Sequence, residues 1–213
     1  MKLSQLIAKA RLRLGDQQAP YLFIDENIID ALNDADREAC IRGRLVKRND
    51  LEVSLSAGDP LGDYPAEAWS ITRTAIDGRK LEHVDRAMLD ASQGTNWEST
   101  TGTPRAVYEV DGKLRFYPIP EVACTAICEG YCKPSKPMSR DGDFPLADEI
   151  YHEALVSGAV AELYLNDDAD GFSSGKASKH EAVFVQTFGE PLSADQMRSA
   201  RLVIVHRTRS HFF

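Results

Sequence analysis

The sequence predicts an α+β protein: a helical bundle built from N- and C-terminal helices, an inserted antiparallel β-sandwich or barrel module, and an extended C-terminal arm. Three observations carry this reading. Apolar residues recur at helical spacing near both ends of the chain, the period switches to alternation from about Asp50 to about residue 137, and Asp-Gly pairs punctuate that middle stretch as hairpin turns.

In chain order, Leu3, Leu6, Ile7, Ala10 and Leu14 form the first helical stripe, and Gly15 supplies its stop. After QQAPYLF, Asp25 is placed to cap a second helix with the stripe Ile28, Leu32, Ala35 and Ala39, which runs into the basic stretch RGRLVKRN. The two helices make a hairpin over 1–49. The β module spans 50–137. LEVSLS alternates, AWSITRTAI and KLEHV read as strands around Asp77-Gly78, and DRAMLDASQ reads as a short helix. In TPRAVYEVDGKLRFYPIP, a two-residue Asp111-Gly112 turn sets Val107 opposite Phe116 and Tyr108 opposite Arg115. Large side chains then occupy both faces, so this sheet must pack on another layer, and Trp97, Val107, Tyr108 and Phe116 are the expected core. Helical period returns over 138–202. Ile150, Ala154, Leu155, Gly158, Ala161 and Leu165 form one stripe, a helix follows at about 176–188, and Ser193 with Gln196 has capping-box spacing ahead of a helix at 194–202. Residues 203–213 read as the arm.

Composition excludes several classes. With 43% hydrophobic residues in 213, the chain can bury a core as one elaborated domain or two small ones. No apolar run approaches the ~18 residues that span a bilayer, and Lys9, Arg11 and Arg13 interrupt the segment where a secretory signal would need an apolar stretch. The totals of 25 basic and 33 acidic residues argue against a generic nucleic-acid surface. Four basic residues, Arg198, Arg201, Arg207 and Arg209, lie beyond the last acid, so 21 basic residues face 33 acids in 1–195 and an acidic body carries a basic end.

Motifs that suggest chemistry dissolve on inspection. Cys124, Cys128 and Cys132 lie in VACTAICEGYC, where a strand would hold residues four apart roughly 13 Å from each other, too far to share a zinc ion. The segment reads as a strand with a small-residue face interrupted at Gly130; structural thiols are the favoured reading for these and for Cys40, with metal or disulfide roles left open. In NDDADGFSSGKA, Asn166, Asp168 and Asp170 match the first half of an EF-hand loop, but Ala177 stands where the bidentate Glu belongs, which leaves them weak calcium candidates in a solvated loop. GFSSGK lacks the spacing of a phosphate loop, and YHEAL has Val156 where a zinc helix needs its second His. There is no G-x-S-x-G elbow. A carboxylate pair among the acids is unsupported, and neither enzyme activity nor a cofactor is expected.

The order and spacing of Trp97, Gly102, Pro104, Tyr108, LRFYPIP, Tyr131 with Lys133-Pro134, Pro145 and YHEAL resemble the tailed-bacteriophage head-to-tail adaptor (connector) proteins, as do LSQLIAKARLRLGD and DENIIDALNDADREA near the start. The resemblance implies a ring, commonly of twelve subunits, beneath the portal at the neck of the virion. Such a ring extends the DNA channel without sequence-specific contact and offers a platform to downstream neck or tail proteins; it would be made in the host cytoplasm and involve no membrane. On this reading the helices build the ring and the β module projects from it. The segment LVIVHRTRSHFF is then an arm that docks on the portal through Val203, Ile204, Val205, Arg207, Arg209, Phe212 and Phe213, the alternative being an arm packed back on its own subunit. A generic oligomeric interaction module and a virion-associated cell-wall-degrading enzyme are the competing classes.

Overall fold

The structure, a computed structural model, describes residues 1–94, 96–166 and 172–204. The chain divides into two compact units, a helical one from Met1–Val46 with Cys132–Leu192 and a β unit from Lys47–Tyr131 with Ser193–Phe213. The middle of the chain is therefore an insertion between helices, as its change of period predicts. The last helix differs from expectation: it belongs with the β unit, not with the other helices.

In the helical unit, α1 (Leu3–Leu14) buries Leu3, Leu6 and Ala10, and ends where Gly15 adopts φ +75° and turns its N–H back to the Arg11 and Leu12 carbonyls. Helix α2 (Asp25–Arg42) buries the predicted Ile28, Leu32, Ala35 and Ala39. Its N-cap is Ile24, not Asp25. Asp25 instead sits in the first turn, where a carboxylate favours the helix dipole, and its side chain accepts from Arg11 Nη2 at 2.5 Å.

Helix α4 (His152–Tyr164) is buried almost all round, and α5 (Ser174–Phe188) packs on it through Phe184 and Phe188. A Cβ on Gly158 would lie 2.5 Å from the Phe184 ring, so α4 and α5 approach closely only because glycine stands there. The apolar stripe read from sequence is shorter than expected. Ile150 is 77% and Leu165 56% exposed, since both lie outside the α4 helix that carries the stripe inward.

Two buried polar groups fix the loops of this unit. The Arg11 guanidinium reaches Asp16 Oδ2 at 2.9 Å and the Phe23 carbonyl at 3.0 Å, while the Asp16 carboxylate accepts the Leu22 and Phe23 N–H groups at 2.9 and 3.1 Å. Asp36 accepts the Leu146 and Ala147 N–H groups at 2.9 and 3.1 Å and ties the 138–147 segment to α2. Burial pushes its carboxyl up and the two N–H bonds oppose that.

Among the described residues the β unit contains two four-stranded sheets and a two-stranded ribbon. Its strands are β1 (Val46–Leu55), β2 (Leu61–Asp63), β3 (Ala68–Ile76), β4 (Arg79–Lys80), β5 (Glu82–His83), β6 (Thr101–Gly102), β7 (Ala106–Val110), β8 (Lys113–Tyr117), β9 (Ile119–Pro120) and β10 (Cys124–Cys132). The sheets run β1-β10-β3-β4 and β2-β8-β7-β5, with β6-β9 the ribbon. The β3–β4 and β7–β8 hairpins turn at Asp77-Gly78 and Asp111-Gly112, all four residues with positive φ, as two-residue primed turns require. The predicted register holds: Val107 faces Phe116 and Tyr108 faces Arg115. Two short pairings, β5–β7 and β6–β9, are parallel and depart from an all-antiparallel module.

The sheets face each other: a Cβ at Gly62 of β2 would collide with Val53 of β1, and Thr74 of β3 meets His83 of β5 at 3.0 Å. Gly130 does not interrupt β10. It continues the buried face, because any Cβ there would overlap the Ser70 carbonyl of β3. The described residues of the unit also include the helices α3 (Arg86–Gln93), capped by Asp85, and α6 (Ala194–Ala200), with the Ser193–Gln196 capping box.

Removing Arg11 strands the buried Asp16 carboxylate, so Arg11→Met is expected to cost about 3 kcal/mol in urea denaturation followed by far-ultraviolet circular dichroism. Lys9→Met, which breaks only the exposed Lys9–Glu153 pair, should stay within about 0.5 kcal/mol of the parent.

Candidate functional site

The arm begins at a defined root in the β unit. Strand β3 is flanked by β10 on one edge; on the other, β4 covers only Ala75 and Ile76. The exposed remainder is occupied by the residues after α6. Ile71 N–H donates to the Arg201 carbonyl at 2.7 Å and the Val203 N–H donates to the Ile71 carbonyl at 3.0 Å, a parallel bridge centred on Leu202. β-Branched residues in LVIV suit such an extended segment.

Side chains grip the same backbone. Tyr64 OH donates to the Arg201 carbonyl at 2.8 Å, Ser70 Oγ donates to the Ala200 carbonyl, and His83 Nδ1 lies 3.0 Å from the Val203 carbonyl. A carbonyl only accepts, so the proton of the neutral ring is on Nδ1, and Nε2 accepts from the Thr74 hydroxyl at 3.0 Å. Burial holds the His83 ring below its ordinary pKa of 6.5, the bond to Val203 opposes this, and Lys80 adds to it. Burial likewise pushes the Tyr64 phenol up, so it stays a donor. Arg201 lies over the Tyr64 ring at 4.5 Å and reaches the Glu109 carboxylate at 3.5 Å. Beside the root, a groove of about 280 Å³ is lined by Val84, Tyr108, Leu202 and Ile204, with Arg86 and Arg198 among its polar members.

Of the residues expected in the arm, Val203 is bonded to β3 and Ile204 lines this groove, while Val205, Arg207, Arg209, Phe212 and Phe213 lie outside the described residues. An arm packed on its own subunit thus describes residues 201–203. Tyr64, Ser70, Ile71 and His83 carry no signal in the sequence, because a pairing across 130 residues leaves no local pattern.

The expected core residues Trp97, Val107, Tyr108 and Phe116 are all buried. Trp97 packs edge-on against Tyr108 and Tyr117 at 6.0 and 5.6 Å, and its indole N–H donates to Asp90 at 2.7 Å. All four cysteines are free, with burial first among the causes that push the Cys40 thiol up to about 12. Asn166 is exposed, and Asp168 and Asp170 lie outside the described residues. Among the described residues no group of His, Cys, Asp and Glu could hold a metal ion, and no helix is long and apolar enough to cross a membrane.

Backbone pairing, carbonyl grips and a cation over a ring together anchor the start of the C-terminal segment to the β unit. The sequence model of the SU10 adaptor protein family matches residues 1–206, and the chain belongs to that family. It is a bacteriophage adaptor with a structural role, in agreement with its resemblance to head-to-tail adaptors. No curated protein matches it.

The lowered pKa of His83 has a definite sign. Below 6.5 the unfolded chain binds a proton that the folded ring refuses, so this residue's contribution to stability falls as pH drops from 6.5 until the folded ring itself protonates. In a proton NMR titration the His83 ring should show a midpoint below 6.5; a midpoint at or above that value would contradict the buried, neutral latch.

Proposed function

We propose that the protein forms a ring of twelve subunits beneath the portal in the neck of the virion, extends the DNA channel, and presents the attachment platform for downstream neck or tail proteins. Family membership over residues 1–206 is the observation that carries this reading. The division into a helical unit and an inserted β unit supports it physically, since a closed ring needs two different contact faces on each subunit. The acidic excess of residues 1–195 suits a conduit along which a polyanion must slide. On this reading the protein acts by fitting between other proteins and has no reaction centre or cofactor.

The portal-docking element is the segment containing Val203, Ile204, Val205, Arg207, Arg209, Phe212 and Phe213. Its fixed end is Val203, whose N–H is bonded to Ile71, and the part that reaches the portal begins beyond Ile204. Arg207 and Arg209 meet acidic portal residues, while Phe212 and Phe213 fill apolar pockets.

Deleting residues 205–213 leaves the bonds to β3 intact, so the truncated chain should fold as the parent does. Its capture by purified portal, read by co-sedimentation and by electron microscopy of ring-on-ring complexes, is expected to fall at least about tenfold. Undiminished capture would remove the arm from the account.

A further inference from the structure

We propose that a groove on the helical unit, between α2, α4 and α5, receives residues 205–213 of a second copy of this chain. The inference goes beyond portal docking: it gives the arm a resting partner before a portal is met.

The groove has a volume of about 310 Å³. Its apolar lining includes the small residues Ala35, Gly158, Ala161 and Ala177 and the ring of Phe184, over which the Arg42 guanidinium lies at 5.2 Å. An apolar cavity of about 150 Å³ takes one benzene ring, so this space accommodates the rings of Phe212 and Phe213 together.

The rim carries Asp34, Glu38, Glu162 and Glu181 against the single cation Arg42. That cation is already engaged, at 2.8 Å from Glu38 and 3.7 Å from Glu181, and Asp34 pairs with Arg37 at 3.0 Å. Glu162 has no ion pair among the described residues. Partial burial first, and then the neighbouring Asp34 and Asp30 carboxylates, push its carboxyl up. Such a rim attracts a cation, and residues 205–213 bring Arg207 and Arg209 with no acidic side chain. An aromatic pair preceded by two arginines is the composition that an acid-rimmed apolar groove selects. Covering the two phenylalanines in this way also lowers the aggregation hazard of an unassembled subunit.

The test uses a fluorescently labelled synthetic peptide of residues 205–213 and, as receptor, the full chain carrying Phe212→Ala and Phe213→Ala, which lacks its own anchors. Saturable binding in fluorescence anisotropy is expected, weakened about tenfold or more by Glu162→Lys in the receptor and reduced by added salt. The Glu162→Lys change relieves the crowding by Asp34 and Asp30, so the receptor should melt no lower than the parent and weaker binding would not reflect unfolding. In sedimentation velocity the parent chain should associate at about tenfold lower concentration than the Phe212→Ala/Phe213→Ala chain, which keeps only the lateral ring contacts. No peptide binding at about 1 mM, equal binding to the Glu162→Lys receptor, or association of the parent and the Phe212→Ala/Phe213→Ala chain at the same concentration would each overturn the proposal. No portal is present in these assays, so their failure is separate from any failure of portal docking.

Discussion

The pairing of Arg201, Leu202 and Val203 with Ile71 is the interaction on which the functional reading turns. It closes an edge of β3 that would otherwise present unpaired N–H and C=O groups, and it fixes the point at which the C-terminal segment leaves the folded body. Each backbone bond is worth only about 1 kcal/mol net. Added to them are the donors of Tyr64, Ser70 and His83, aimed at the carbonyls of residues 200, 201 and 203. The segment is thus a short added strand with a polar clasp, strong enough to hold and small enough to leave the residues beyond it for other partners.

The rest of the architecture follows from where the chain can afford polar groups inside. Arg11 with Asp16, and Asp36 with the amides of Leu146 and Ala147, convert two loops into fixed parts of the helical unit. Removing either partner alone would leave a buried charge or bare amides, which is why such groups specify one loop conformation more than they add stability. Glycines do the complementary work in the apolar parts. Gly158 lets α4 and α5 close on Phe184, and Gly130 lets β10 lie against β3.

What could be read from sequence divides along the same line. The helical stripes of α1 and α2, the Asp111-Gly112 register and the Ser193–Gln196 cap are local patterns, and each appears in the structure as its spacing dictates. The places of Asp25 and Gly130 depend on tertiary context that no local pattern carries: one is drawn off by Arg11, the other is required by the Ser70 carbonyl. The exposed Ile150 and Leu165 extended an apolar stripe that the helix itself does not reach. The root of the arm was illegible because His83 and Tyr64 act on residues more than a hundred positions away. The family was legible because it rests on the order of many modest features along most of the chain.

Native-state hydrogen exchange of the Val203 amide tests the central claim most directly. The bond to the Ile71 carbonyl predicts that this amide exchanges slowly, with protection similar to that of the Ile71 amide across the bridge. Exchange of Val203 at the rate of an unstructured peptide, while Ile71 and the rest of β3 remain protected, would show that the clasp does not hold and that the arm has no fixed root.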